Sequence, residues 1–303
     1  MTCPCYICKV ADNTMITLRA PAKVNVYLHI LGKRSDGYHE VVTRMQKIDL
    51  CDTITIDETE EPGIAFNCDD ETLAGDDNLV VRAVRLFYSA ANLPARQGLA
   101  IRLEKNIPVA AGLGGGSSDA GTLLQGLNLL HDYPFPEDEL VRIAQQLGSD
   151  VPFFAVACTA TLATGRGECL SALGDLDDYW YLLVNPAVAV STKWVFDNYA
   201  LTSGKKKSKL FGSQKKGSTT FSLDDMHNDL ELVTMKRYPV VGEIKNSLLE
   251  AGAEAALMSG SGPTVFGLFK REKGDISSLY KLAECLSEVY DRRVWLTRAY
   301  TGA

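Results

Sequence analysis

Apolar and polar residues alternate along much of the first third of the chain, and that alternation predicts strands. Val24, Val26, Leu28 and Ile30 alternate with Lys23, Asn25, Tyr27 and His29, so one face is expected to be buried and the other polar. Pro21 divides this segment into a strand pair, ITLRA and KVNVYLHIL, with Lys23 and Asn25 pointing the same way. Residues 49–57 (DLCDTITID) and 98–104 (GLAIRLE) read as further strands. Helical spacing appears over 76–90, through Leu79, Ala83, Leu86 and Phe87, and over 137–147, which Gly148 closes. Residues 160–173 form a strand that Gly165 and Gly167 bend, and an apolar strand over 179–185 starts afresh after the acidic linker GDLDD. A short helix is expected over 191–200, others near 228–231 and over 238–251. A strand, a Gly260-Ser-Gly262 turn and a second strand span 257–269, and a helix (276–290) and strand (293–300) follow. The second glycine turn could also face a ligand.

Between the 98–104 strand and a run at helical spacing (Leu123, Leu124, Leu127, Leu130) lies PVAAGLGGGSSDAG, in which Gly112, Gly114, Gly115 and Gly116 crowd together. Glycine has no Cβ to hold a ligand away, and Ser117 or Ser118 suits a helix N-cap. A loop of this kind running into a helix start presents free N–H groups and the positive end of the helix dipole, which suits phosphate. It is not a Walker loop, because no lysine follows the glycines. Nor is it a dinucleotide fingerprint, because the third glycine is replaced by Ser117 or, one frame on, by Asp119. The plain alternative is a flexible connection, and the serines at the helix start weigh against it.

At 303 residues, two domains or one large one are expected, and 46% hydrophobic with 23% charged residues suits an ordinary globular protein. The net charge of −7 argues against general nucleic-acid binding. No apolar run is long enough to span a bilayer and no secretory leader is evident, so a cytoplasmic location without a membrane partner is expected. Eight cysteines, five of them scattered singly, suit free thiols in a reducing compartment. The Cys3-x-Cys5-x-x-Cys8 cluster lacks a nearby fourth ligand, so metal binding is the weaker reading and residues 1–14 are expected to be a mobile extension. Residues 203–220 hold six lysines and no acid; with only Phe211 as an aromatic platform, a solvated insertion is favoured over an RNA-binding arm.

Single residues are less decisive. Alone, Lys23 could be a solvated strand lysine and Tyr38-His39 turn decoration. Asp150, between Gly148 and the apolar Val151-Pro152-Phe153-Phe154, reads equally well as an N-cap and as a partly dehydrated catalytic carboxylate.

Taken together, PAKVN, DGYHE, DDNLVVRA, PVAAGLGGGSSDA, GSDVPFF, HNDLE and LMSGSGPTVF, in that order, resemble the GHMP kinase superfamily over nearly the whole chain from Met15 to Tyr300. The resemblance implies an α+β, two-domain fold, with a ribosomal-S5-like N-terminal domain and a ferredoxin-like α/β C-terminal domain. Its active site would lie in the interdomain cleft. Residues 15–173 would bind ATP, and 174–303 would form the substrate-side domain carrying the 203–220 insertion. The activity implied is that of an ATP:alcohol phosphotransferase on a small molecule, with Mg²⁺ carried by the ATP phosphates and protein metal ligands unknown. ATP contacts carry over to Asn78, Lys105, Pro108, Ala110, Ala111, Gly112, Leu113, Gly114, Gly115, Gly116, Ser117 and Ser118. Substrate contacts carry over to Lys23, Asn25, Tyr38, His39, Asp150, Thr192 and Phe196, with Tyr38 and Phe196 as stacking faces for cytosine. Lys23 and Asp150 would be the catalytic pair, Asp150 taking the hydroxyl proton and Lys23 favouring the deprotonated hydroxyl in a direct in-line transfer. Mevalonate, homoserine or a sugar is the alternative substrate, and an RNA-binding module the alternative class. A monomer or weak dimer is expected.

Overall fold

The computed structural model describes residues 15–92, 98–202, 221–272 and 276–302. The cysteine-bearing 1–14 leader and the 203–220 insertion lie outside the described residues.

Two long antiparallel strands carry the first half of the chain, β1 (Ile16–Lys33) and β2 (His39–Thr59). The expected break at Pro21 does not occur. Instead the register slips between Pro21 and Ala22, so a bulge absorbs the donor that proline lacks and β1 continues. The expected polar face is not solvated either. Lys23 and Asn25 are only 4% and 3% exposed, because later parts of the chain fold over them.

β3 (Ile64–Cys68), β4 (Gly98–Glu104), β5 (Ala160–Gly165) and β6 (Cys169–Ala172) complete most of the first sheet. The order runs β3-β4-β2-β1, with β5 pairing to β2 and β6 to β5. The bend foreseen at Gly165 and Gly167 is thus a hairpin that separates two strands. Past residue 173 the chain supplies β7 (Tyr179–Val184), β8 (His227–Asn228), β9 (Ala255–Met258), β10 (Val265–Lys270) and β11 (Val294–Arg298). Four of these form a second, antiparallel sheet in the order β11-β7-β10-β9. β8 instead pairs in parallel with β1.

The helices are α1 (Leu79–Ala91), α2 (Gly115–Leu130), α3 (Glu137–Ala144), α4 (Val151–Ala155), α5 (Thr192–Thr202), α6 (Glu231–Arg237), α7 (Val240–Glu250) and α8 (Ile276–Val289). The 228–231 segment expected to be helical starts as β8, because its polar side chains are used to fix it. Asn228 donates to Met258 O and Gly260 O, and Asp229 accepts from Ile30 N.

Among the described residues, three large apolar cores follow from these amphipathic faces, beside a small fourth cluster of Met45, Phe153, Phe154 and Ala163. Val80, Val84 and Phe87 of α1 with Leu123, Leu124 and Leu127 of α2 cover Leu18, Ile54, Ile56, Ile101 and Leu103 of the first sheet. Val233, Val241, Ile244, Leu248 and Leu279 cover Leu182, Val184 and Val265 of the second. Between the sheets, Val24, Val26 and Ile48 meet Tyr181, Leu183, Phe266 and Leu268, with Ile107, Ala111 and Leu113 in the same cluster. At roughly 1.5–3 kcal/mol for each large side chain buried, that seam fixes the two sheets against one another. It also anchors the glycine-rich stretch at their junction.

Candidate active site

The glycine-rich stretch leaves β4 and turns sharply before α2, with Ala110, Gly112 and Gly114 all at positive φ (53°, 79° and 73°). At Gly112 glycine is required twice over, since an added Cβ would stand 2.2 Å from Ser259 O. Gly114 is the helix N-cap and has no side chain to cap with. The capping role expected of Ser117 or Ser118 is therefore not the one observed. Ser118 lies inside the first turn and its hydroxyl donates to Pro21 O at 2.6 Å, tying α2 to β1. With no serine side chain at the cap position, the helix start keeps its N–H groups for a ligand.

Backbone and side-chain bonds hold this loop from both sides. Lys23 N donates to Leu113 O at 2.9 Å, and Ser259 Oγ donates to Gly112 O at 2.9 Å. The Gly260–Gly262 turn, which follows Ser259, thus lies against the glycine loop.

One cavity of about 1210 Å³ runs along the loop and between the two sheets. Its lining takes in Asn78, Lys105, Pro108, Ala110, Ala111, Gly112, Gly114, Gly115, Gly116 and Ser117 at one end and Tyr38, His39, Thr192 and Phe196 at the other, with Lys23, Asn25 and Asp150 between them. Leu113 and Ser118 are buried behind it and do not line it. Their part is to hold the loop.

Lys23 sits where the two ends meet. Its ammonium donates to Asn25 Oδ1 at 2.6 Å and to Gly112 O at 3.2 Å, and it lies 3.6 Å from Asp150 Oδ2. Asn25 in turn donates to Thr43 Oγ1 at 2.8 Å, so the amide orientation is fixed from behind. Asp150 occupies the N-cap position of α4, yet its carboxylate makes no capping bond there and its side chain is 37% exposed. Of its two sequence readings, capping fails. The carboxylate instead faces the Lys23 ammonium on the cavity lining.

At the far end His39 and Phe196 pack ring against ring at 5.2 Å, and the Arg166 guanidinium lies over the Tyr38 ring at 4.9 Å. Burial, with Lys33 nearby, lowers the His39 pKa, so the ring is neutral at pH 7 and offers one donor and one acceptor. Thr192 Oγ1 and Ser261 Oγ share a hydrogen bond of 2.8 Å beside them.

A buried charge cluster beneath the loop went unread in the sequence. Lys105 bonds Asp52 and, at 2.6 Å, Asp119, while Asp52 Oδ1 also accepts from Asn106 N and Ile107 N at 2.5 and 2.8 Å. Against burial, which alone would lower it, the two carboxylates hold the Lys105 ammonium above its ordinary value. Burial pushes the Asp119 carboxyl up to about 8, with the Asp52 charge adding to it. Asp119 Oδ1 is buried without a hydrogen-bond partner, and Asp119 also lines the cavity. Asn78 is engaged as well, capping α1 through Val80 N and donating to Leu73 O. Both Lys105 and Asn78 thus shape the cavity wall while their polar ends are already used.

The sequence itself matches two family models, the GHMP kinases N terminal domain over residues 78–157 and the GHMP kinases C terminal over 216–287. The chain is 43% identical to the 4-diphosphocytidyl-2-C-methyl-D-erythritol kinase of Desulfotalea psychrophila over 288 residues, covering 94% of this chain and 96% of that one. The chain belongs to the GHMP kinases. It falls among the 4-diphosphocytidyl-2-C-methyl-D-erythritol kinases of that family, and it is a kinase. The enzyme of that name from Geobacter sulfurreducens is 45% identical over 94% of this chain and 98% of its own length. A crystal structure of 4-(cytidine 5'-diphospho)-2C-methyl-D-erythritol kinase superposes with a TM-score of 0.74 at 30% identity, covering 94% of this chain and 99% of that one. A homoserine kinase from Cytophaga hutchinsonii superposes at 0.69 with 18% identity over 96% of both chains, which shows that the GHMP kinase fold is shared and nothing finer. Among the described residues no helix is long and apolar enough to cross a membrane.

Proposed function

We propose that this GHMP kinase transfers the γ-phosphoryl group of ATP to the 2-hydroxyl of 4-diphosphocytidyl-2-C-methyl-D-erythritol, in the supply of isoprenoid precursors. One observation carries the reading. The Lys23–Asp150 pair stands between a phosphate-type glycine loop and an aromatic wall of Tyr38, His39 and Phe196, all on one cavity. The loop end suits a triphosphate, since free N–H groups and the helix start complement its charge. The far end suits a nucleobase. Phe196 and Tyr38 offer ring faces, and neutral His39 offers a donor and an acceptor to a base edge.

Phosphoryl transfer depends mostly on positioning and charge stabilisation. Asp150 accepts the proton of the substrate hydroxyl as that oxygen bonds to the γ-phosphorus, and the bond from the γ-phosphorus to the β,γ-bridging oxygen breaks to release ADP. Lys23, fixed by Asn25 and Gly112 O, stabilises the developing negative charge on the attacking oxygen. Its burial behind the loop makes that charge act in a low-dielectric setting. No phosphoenzyme is involved.

The donor set also fits a magnesium ion. Asp119 lines the cavity with a buried, unpartnered Oδ1 and the Ser117 hydroxyl is close by in sequence, which is the oxygen chemistry that Mg²⁺ takes once the cation displaces the carboxyl proton. Those two would hold the ion alongside the ATP phosphates, and when bound it would neutralise charge on the β- and γ-phosphates.

The test is ATP consumption by the purified protein with 4-diphosphocytidyl-2-C-methyl-D-erythritol, mevalonate and homoserine in parallel. Turnover with the cytidine compound alone is expected. Turnover with mevalonate or homoserine, or with none of the three from a folded and ATP-binding preparation, overturns the substrate assignment.

A further inference from the structure

Outside the cavity, β1 and β8 bring together three metal-ligating side chains that the kinase reaction does not use: His29, His227 and Asp229. β8 runs parallel to β1, pairing Tyr27 with His227 and Leu28 with Asn228, and Asp229 N donates to Leu28 O at 3.0 Å. His227 and Asp229, two apart in an extended segment, therefore share a side, and His29 on the neighbouring strand meets them there. Asn228, between them, faces the other way into Met258 O and Gly260 O.

We propose that His29, His227 and Asp229 bind a divalent transition-metal ion of the zinc class. Each residue offers a donor atom, and all three atoms lie within 4.8 Å of one another. Asp229 Oδ1 is 2.8 Å from His227 Nε2, and Oδ2 is 4.0 Å from His29 Nδ1. Ligands about 2.0–2.2 Å from a tetrahedral zinc stand about 3.2–3.6 Å apart, a spacing these two distances straddle. The imidazoles already stack at 5.1 Å, and the His227 side chain is 54% exposed, so its ring is free to turn towards a bound ion. The carboxylate is held in place from outside, because Ile30 N donates to Oδ2 at 2.6 Å. Two imidazoles and one carboxylate favour zinc, nickel or copper over magnesium or calcium, which take all-oxygen sets. The open side at His227 leaves room for a water as the fourth ligand. An ion here would clamp β8 to β1 and, through Asn228, steady the Gly260 turn on the cavity lining.

The leader cysteines could themselves take zinc, so the test uses the full chain with Cys3→Ser, Cys5→Ser and Cys8→Ser as background. Zinc is titrated into chelator-treated protein against a chromophoric competitor, with cobalt absorption in the visible as a second readout. One equivalent of zinc is expected, with a rise in Tm on loading. Adding His227→Ala, at an exposed position, should weaken binding by at least about tenfold and abolish the Tm rise. His29→Ala should do the same. Absence of zinc binding in the background protein overturns the site, as does an affinity in both histidine variants equal to that of the background protein.

Discussion

The Lys23 ammonium stands 3.6 Å from the Asp150 carboxylate, although 126 residues separate them and one is buried while the other opens to the cavity. Three features produce that meeting. Lys23 lies on a strand whose backbone bonds the glycine loop, Asn25 and Gly112 O fix its nitrogen, and α4 offers Asp150 at its first turn without consuming it as a cap. The two ends of the cavity join at this pair.

If Phe196 and His39 form the wall for the base, Phe196→Ala removes a stacking face and little else. A stacked aromatic contact is worth about 0.5–1.5 kcal/mol beyond its area. The KM for the cytidine substrate should therefore rise by about two- to tenfold, with the KM for ATP unchanged. Steady-state kinetics varying each substrate in turn checks this.

Gly112→Ala should damage both stability and nucleotide binding. The residue sits at φ 79°, where an L side chain is strained by about 1–2 kcal/mol, and its Cβ would meet the Ser259 carbonyl. That clash pushes the glycine loop away from the second sheet. We expect a lower Tm together with a raised KM for ATP, read by thermal unfolding and kinetics on the same preparation.

The 98–104 strand and the α1 and α7 helices, together with Lys23 and Asn25 sharing a face, could be read from the sequence because each rests on local periodicity. The Lys105–Asp52–Asp119 cluster could not, since its members lie in separate elements that meet only in the folded chain. One signal was available. Asp52 falls in the inward phase of Leu50, Ile54 and Ile56, and an acid in that phase has to find a partner in the core. Pro21 misled because proline breaks a strand only where its missing donor has no bulge to hide in. Ser118 misled because a glycine already occupied the cap, freeing the serine to reach Pro21 O. Arg166 was passed over in a glycine turn that gave no hint of Tyr38 beneath it.

Lys47 carries a pH prediction. It is buried with its ammonium on Val156 O at 2.8 Å and near the Phe153 ring, and burial lowers its pKa from 10.5 to about 8. A buried lysine in this state resists its charge, so the unfolded chain binds the proton more readily between pH 8 and 10.5. The penalty is full below about pH 8 and fades as pH rises towards 10.5, amounting to at most about 3 kcal/mol. Lys47→Met, of similar shape, should therefore raise stability at pH 7, and the gain should shrink by pH 9.5. Denaturant unfolding at both pH values measures the difference.

The most direct measurement compares Asp150→Asn with the parent enzyme, using 4-diphosphocytidyl-2-C-methyl-D-erythritol and ATP. Asparagine keeps the shape and removes the proton acceptor. We expect kcat to fall by about 100-fold or more, with Tm and ATP affinity close to those of the parent. A folded Asp150→Asn enzyme turning over at a near-normal rate would show that the hydroxyl proton goes elsewhere, and would contradict the assignment of Lys23 and Asp150 as the catalytic pair.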